Sequence, residues 1–454
     1  MSRIMFAGTG SSVGKTTVVC GVIAALKRFD KKVISFKCGP DYIDPMFHQK
    51  VTEVVTRNLD GFLMGEDNLI NTLIAGEEAC DIAVVEGAMG IFDGMGKSTK
   101  YSANSISVIT STPTILIVNP NGQGISVCAQ IKGFLEFEQN NICGVLLNNI
   151  KVGMYKYYKE MIEEQLGIEV VGFIPHLEEV KISSRHLGLV TADEIDDIKS
   201  KIEIIGDNVL KYCDMERIIE IANCSKYLKE NNVNTIDKVA NVNLYVARDK
   251  AFCFIYDDNI EILQQMGANI HYFSPIDDQC LPDDVDGLLF FGGYPELYGT
   301  LLENNKSMQN SIREKISKNI PVYAECGGFM YLQNTITDLE GIKYQMLGII
   351  DSDVLMTKSL QNFGYTKITN KTKNNFLNGS VNAHSFHHSV STSEGESFKA
   401  LKVSNNMEYD AVYTSESIFA SYMHIHFINN LELPRNFIKL CEKGVVNNEV
   451  NIKT

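Results

Sequence analysis

No uninterrupted apolar run in this sequence is long enough to span a bilayer, and its first residues lack the basic, apolar and small-residue pattern of a secretory leader. Eleven cysteines are scattered without a repeating spacing, and none forms CxxC. That distribution argues against a disulfide frame or a structural zinc site, and for reduced thiols and a cytoplasmic setting. Positive charge is also scarce: 41 Lys and Arg stand against 56 Asp and Glu, a net charge of −15. A chain of this sign has no broad basic surface for non-specific nucleic-acid binding. If its ligands are anionic, the sites must be locally basic. Lys15, Lys37, Lys97 and Arg185, each near glycines or aspartates, are the candidates. Lys97 reads equally well as a solvated surface residue. There is no internal repeat and no low-complexity tract.

The chain has 454 residues, 44% of them hydrophobic and 21% charged, which calls for two or three ordinary globular domains. Short Val/Ile/Leu-rich runs at 3–7, 32–36, 82–85, 114–118, 144–148 and 170–175 alternate with helical stretches such as 17–29. This is the pattern of a parallel sheet covered on both faces, whose ligands lie beyond the carboxyl ends of the strands. A polar stretch, 193–240, reads as a helix-bearing connector. The α/β pattern restarts with strands at 243–247, 269–273 and 287–291 and a helix at 260–266. The expectation is α/β throughout: two domains, each a mainly parallel sheet flanked by helices, at 1–192 and 241–445.

Two dissimilar motifs carry the chemistry. Gly8-Thr9-Gly10-Ser11-Ser12-Val13-Gly14-Lys15-Thr16-Thr17 follows the first strand and opens a helix. Its backbone N–H groups suit phosphate oxygens, Lys15 suits the outer phosphates and Thr16 suits Mg²⁺, so Gly10, Gly14, Lys15, Thr16 and Thr17 are read as nucleotide-binding. The first glycine comes one position earlier than in the usual GxxxxGK[ST] loop. After the next strand stands Lys37-Cys38-Gly39-Pro40-Asp41-Tyr42-Ile43-Asp44-Pro45, and after the third Glu86-Gly87-Ala88-Met89-Gly90-Ile91-Phe92-Asp93-Gly94. Taken singly, each acid reads equally as a turn or cap residue. Several acids facing one crevice imply a cation, and Thr16, Asp41 and Glu86 are the expected Mg²⁺ set.

The second motif is Pro321-Val322-Tyr323-Ala324-Glu325-Cys326-Gly327-Gly328, an apolar strand delivering Cys326 onto a glycine turn. Such a turn lifts a nucleophile out of the backbone, and a helix N-terminus favours its thiolate. Gly292-Gly293-Tyr294-Pro295 offers oxyanion N–H donors at Gly293 and Tyr294. Ser421-Tyr422-Met423-His424-Ile425-His426-Phe427 offers two histidines at alternate positions, with His424 taken as the base.

The loop spacing matches that of dethiobiotin synthetase and its amidoligase relatives. With GTGSSVGKTT, KCGPDYIDP, VEGAMGIFDG, SSRHLGLV, FFGGYPELY, AECGGFMYL and SYMHIHF together, nearly the whole chain resembles the cobyrinic acid a,c-diamide synthase family, glutamine-dependent amidoligases of cobalamin biosynthesis. The resemblance implies a dethiobiotin-synthetase-like ATP domain followed by a class I glutamine amidotransferase-like domain. It implies ATP as co-substrate, Mg²⁺, glutamine and a corrinoid polycarboxylate, with Asp41, Ile43, Asp44, Asp93 and Arg185 at the substrate or its phosphorylated intermediate. Typical class I amidotransferases place a Glu two residues after the histidine. His426 occupies that position here, which leaves open what orients His424. The tetrapyrrole is also open between cobyrinic acid, hydrogenobyrinate and nickel-sirohydrochlorin, and so are a homodimer and the adenine-reading residues, for which Asn148 is a candidate. A regulatory P-loop ATPase with a degenerate amidotransferase module is the reading from another class, and KCGPDYIDP has no evident purpose in it.

Overall fold

The computed structural model describes residues 2–177, 180, 192–231 and 235–452. It divides into two compact units, Met1–Val233 and Asn234–Thr454. Among the described residues, no helix is long and apolar enough to cross a membrane.

The first unit is built on β1 (Ser2–Gly8), β2 (Val33–Cys38), β3 (Thr56–Leu59), β4 (Ile82–Glu86), β5 (Thr114–Val118), β6 (Ile142–Ile150) and β7 (Val170–Pro175). They form one sheet in the order β3-β2-β4-β1-β5-β6-β7. Every pairing in it is parallel. Because side chains alternate along a strand, Ile4 and Phe6 enter one core with Val84, Ile115 and Leu146, while Met5 and Ala7 enter the other with Val85, Leu116 and Val145. Burial on both faces explains why these strands read as continuous apolar runs. β1 lies between β4 and β5, so the chain winds outward on either side of it, and the crevice beyond its carboxyl end is the expected ligand position.

Two helices shape that crevice, α1 (Lys15–Arg28) and α2 (Ile43–Thr52). The stretch read as a connector supplies the helices Ala192–Tyr212 and Met215–Asn223. The first of these crosses α1 closely. A Cβ at Gly21 would stand 2.4 Å from Ile205, and one at Gly206 3.0 Å from Ala24.

The second unit has two sheets. One contains β8 (Val242–Ala247), β9 (Ala268–Phe273), β10 (Gly287–Phe290), β11 (Val322–Glu325), β18 (Tyr413–Thr414) and β19 (Ile418–Ser421), ordered β18-β19-β11-β10-β8-β9. It is parallel apart from β18. The other contains β12 (Gln333–Thr337), β13 (Lys343–Gln345), β14 (Ile350–Asn370), β15 (Ser380–Ser391), β16 (Phe398–Lys402), β17 (Met407–Ala411) and β20 (Met423–His424), and its pairings are largely antiparallel. Leu288 and Phe290 of β10 enter one core, while Leu289 and the following Phe291 enter the other.

Candidate functional site

In the first unit, the loop after β1 is held in shape before any ligand is considered. Gly14 caps α1 with φ 88°, a left-handed conformation that glycine adopts without penalty. A Cβ there would meet Asn148 Nδ2 at 2.3 Å. That amide, carried on β6, donates to the carbonyl of Val13 at 2.8 Å. Asn148 therefore braces the loop. The loop after β4 is pinned to the same strand end, with Ile91 N–H donating to Gly8 at 2.9 Å. Lys15 donates from Nζ to the Gly10 carbonyl at 2.9 Å. Burial, and then the neighbouring Lys37, lower its pKa. Thr17 follows in the first turn of α1, half-buried.

The acids segregate into two groups. Lys37 and Glu86 are direct neighbours across the β2–β4 ladder. Lys37 Nζ lies 2.8 Å from Glu86 Oε1 and 2.6 Å from Asp44 Oδ2. Thr16 Oγ1 donates to Glu86 Oε1 at 2.8 Å and stands 3.4 Å from Asp44 Oδ2. The far side of Glu86 faces His48, whose Nε2 is 2.7 Å from Oε2 and whose Nδ1 is 3.1 Å from Ser35 Oγ. Ser35 and Lys37 share one face of β2 because they are two residues apart. Burial opposes the charge on Lys37 and on Glu86, but their mutual attraction overcomes it: the ammonium is held protonated and the carboxyl falls below its usual range.

Asp41 and Asp93 are placed otherwise. Asp41 Oδ1 accepts the N–H groups of Ile43 and Asp44 at 2.8 and 3.2 Å, which starts α2. Burial, then Asp44, push its pKa up to about 6. Asp93 Oδ2 accepts the Gly90 N–H at 2.7 Å. Lys97 is exposed, and Arg185 lies outside the described residues. Sequence reasoning missed His48. Its signal is its place one helical turn after Asp44, on the face of α2 turned to the sheet.

Among the described residues, no group of three or more His, Cys, Asp or Glu side chains is arranged to hold a metal. The oxygens of Thr16 and Asp44 nevertheless suit Mg²⁺, a hard cation that commonly takes only one or two protein carboxylates beside phosphate and water. Both oxygens of Glu86 already face Thr16, Lys37 and His48.

In the second unit, β11 ends at Glu325 and Cys326 follows with φ 45° and ψ −105° as the N-cap of the helix Gly327–Leu332. A non-glycine residue in that region is strained by roughly 1–3 kcal/mol. The conformation is enforced around it: Cys326 N–H donates to Ser421 at 2.8 Å, and Gly328 N–H to Phe291 at 3.1 Å. A Cβ on Gly328 would stand 2.0 Å from the carbonyl of Phe290, and one on Gly327 3.0 Å from the Gly293 nitrogen. Gly328→Ala is therefore expected to destabilise this unit by about 1–3 kcal/mol or more. A thermal melt matching the unmutated protein would show that the turn has slack.

Tyr294 N–H is spent on the carbonyl of Ala251 at 2.9 Å. The backbone N–H of Gly293, close to Gly327, lies beside the elbow, and Gly327 itself follows Cys326, where a nucleophile elbow would place a donor. The Cys326 sulfur lies 3.7 Å from the carbonyl of Phe386.

His424 sits on β20, paired with His384 of β15, and His426 falls outside the strand. The imidazole of His424 is coupled electrostatically to Cys326 and Glu325, with Nδ1 3.5 Å from Glu325 Oε2. Burial opposes its charge, yet the sulfur and then the carboxylate push its pKa up to about 10. Burial and the neighbouring His424 hold His384 at about 3, and burial is the main cause that takes His387 to about 4. One cationic imidazole thus stands among neutral ones. His426 turns elsewhere: its Nε2 is 3.4 Å from Asp258 Oδ2, and its ring packs 5.0 Å from that of Tyr256.

A phosphate loop at a sheet switch point and a cysteine–histidine elbow on a second α/β unit fit a ligase that carries an amidotransferase domain. Residues 4–190 match the CobQ/CobB/MinD/ParA nucleotide binding domain, and residues 243–431 match the CobB/CobQ-like glutamine amidotransferase domain. The chain is 39% identical over 438 residues to the cobyrinate a,c-diamide synthase of Clostridium tetani, covering 95% of this chain and 98% of that one. It is 37% identical over 447 residues to the cobyrinate a,c-diamide synthase of Priestia megaterium, with 97% of each covered. Among solved structures it is similar to the MinD cell division protein of Aquifex aeolicus, at 19% identity over 49% of this chain and 96% of that one, with a TM-score of 0.33. The chain belongs to the cobyrinate a,c-diamide synthase family.

Proposed function

We propose that this protein amidates the a and c carboxylates of cobyrinic acid, using ATP and nitrogen from glutamine or free ammonia. The observation that carries the reading is the presence in one chain of two complete and chemically different stations: the braced phosphate loop with Lys15, Thr16, Lys37, Asp44 and Glu86, and the strained Cys326 beside His424.

At the second station the Cys326 sulfur attacks the carboxamide carbon of glutamine. The N–H groups of Gly293 and Gly327 receive the developing oxyanion, and Tyr294 contributes through its backbone only in shaping that loop. The C–N bond breaks, His424 delivers the proton to the departing nitrogen, and ammonia leaves a thioester. Water then hydrolyses the thioester to glutamate and regenerates the thiol. At the first station a carboxylate of the substrate, a poor electrophile, takes the γ-phosphoryl group of ATP. Ammonia attacks the acyl phosphate and phosphate departs. Gly10, Gly14, Lys15 and Thr17 hold the nucleotide. Mg²⁺, held by Thr16 and Asp44 with Glu86 behind them, supplies charge neutralisation when bound. Asp41, Ile43 and Asp93 shape the substrate side of the crevice, and Arg185 is retained as a cation for the polycarboxylate.

The deciding experiment offers the purified protein ATP, Mg²⁺ and amide-¹⁵N glutamine with cobyrinic acid, hydrogenobyrinic acid or nickel-sirohydrochlorin in turn. A doubly ¹⁵N-labelled diamide of cobyrinic acid is expected by mass spectrometry. Preferential labelling of another tetrapyrrole would reassign the substrate. ATP turnover with no labelled product from any of them would favour a regulatory ATPase.

The two histidines separate in the same assay. His424→Ala is expected to remove glutamine hydrolysis almost as fully as loss of Cys326, since nucleophile and base act as a unit. His426→Ala is expected to stay within about 10-fold, because its ring is committed to Asp258 and Tyr256. Steady-state glutaminase rates on folded variants check this, and the reverse order of severity would reassign the base.

A further inference from the structure

The position where typical class I amidotransferases carry the acid of the triad is His426 here, and that ring is turned to Asp258. A different carboxylate faces the base. Glu325, the residue immediately before the nucleophile, is 0% exposed. Its Oε2 stands 3.5 Å from His424 Nδ1. Its Oε1 is fixed from two sides, by the O–H of Tyr323 and by the N–H of Ile425 at 3.0 Å. Tyr323 shares the Glu325 face of β11 and is itself immobilised, with its ring stacked on Phe419 and edge-on to Phe427. Ile425 directly follows His424, so one carboxylate ties the strand that delivers the nucleophile to the segment that delivers the base. Asn259 secures that segment further, donating to the Ile425 carbonyl and accepting from Phe427 N–H, both at 2.8 Å.

On its other side the imidazole is confined by Gly292, where a Cβ would approach His424 Cε1 to 2.6 Å. With Nδ1 turned to Glu325, Nε2 is left for the Cys326 sulfur, to which the ring is electrostatically coupled.

We propose that Glu325 is the positioning acid of the glutaminase site, holding His424 by Nδ1–H so that Nε2 serves Cys326. The role normally filled by a residue two positions after the histidine is supplied here from the position before the cysteine. A carboxylate buried among apolar side chains needs its donors met. Tyr323 and Ile425 supply donors to Oε1, and His424 Nδ1 is the group that faces Oε2. The inference rests on the glutaminase reading of the same site.

The experiment measures glutamine hydrolysis and ammonia-dependent amidation on the full chain, for the unmutated protein, Cys326→Ser, Glu325→Gln and Glu325→Asp. Activity of the unmutated protein that Cys326→Ser abolishes secures the glutaminase reading, and its absence would remove that reading with the inference. Given that activity, Glu325→Gln is expected to lower glutamine kcat by roughly 100-fold or more with KM within about 3-fold, because an amide no longer selects the Nδ1–H tautomer. The alkaline limb of its pH–rate profile should also move to lower pH, since the carboxylate no longer sustains the imidazolium. Ammonia-dependent amidation should persist, and Glu325→Asp should recover part of kcat. A Glu325→Gln variant with kcat within about 3-fold of the unmutated value and an unmoved limb would overturn the proposal. Should that variant lose ammonia-dependent activity as well, ¹⁵N-histidine NMR of the unmutated protein alkylated at Cys326 decides. A neutral His424 protonated on Nδ1 supports the proposal, and one protonated on Nε2 overturns it.

Discussion

Cys326→Ser is expected to abolish glutamine-dependent amidation, by roughly 10⁴-fold or more, while amidation with a high concentration of free ammonium continues. Serine fits the same strained backbone and nearly the same volume, so the elbow should survive. A hydroxyl beside His424 is a far weaker nucleophile than a sulfur at this site, which cuts the covalent route at its first bond. Under the proposed division of labour the ammonia route needs only the first unit, whose two cores are formed from its own residues. The measurement is paired product formation with each nitrogen donor on the same preparation. Equal loss with both donors would mean that Cys326 supports structure or synthetase chemistry, and the division of labour between the units would fail.

Lys37→Met carries the other large expected effect, in the opposite direction. The Lys37 side chain is 3% exposed, and its Nζ contacts both Asp44 and Glu86. Removing the ammonium leaves two carboxylates close together, with His48 and Thr16 in contact and Lys15 nearby to offset them. Breaking one side of a buried ion pair typically costs about 3–5 kcal/mol, which for a domain of this size lowers Tm by roughly 10 °C. Amidation should fall with either nitrogen donor, whereas glutamine hydrolysis should survive at a basal rate. The double variant Lys37→Met/Glu86→Gln removes the unpaired charge. It should regain part of the stability and none of the amidation. A Tm within a degree or two of the unmutated protein, or intact amidation, would show that the cluster is not what orders this crevice.

The phosphate loop and the cysteine elbow were legible in the sequence because both are local backbone devices. Gly14 and Gly328 stand where a Cβ would collide with a neighbour, and each belongs to a loop or elbow that follows an apolar run announcing its strand. Lys37 was legible as a basic residue, and only the β2–β4 register showed it opposite Glu86. Asp41 and Asp44 are three residues apart and look alike in sequence. Backbone geometry gave the first to the start of α2 and the second to Lys37 and Thr16. β3 escaped notice because Thr-Arg-Asn-Leu has no apolar run. The second sheet of the Asn234–Thr454 unit escaped because β14 and β15 mix Ser, Thr, His and Asn through strands that are only partly buried.

By itself, then, the sequence determined the α/β class, the two motifs and the family, all of which depend on residues near one another in the chain. Only the tertiary structure decided the partners of the bases and acids. Glu325 meets Ile425 across 100 residues, and His426 meets Asp258 across 168. Such pairings depend on how distant elements pack: a one-residue shift of register in β11, for example, would turn Glu325 to the opposite face of its strand.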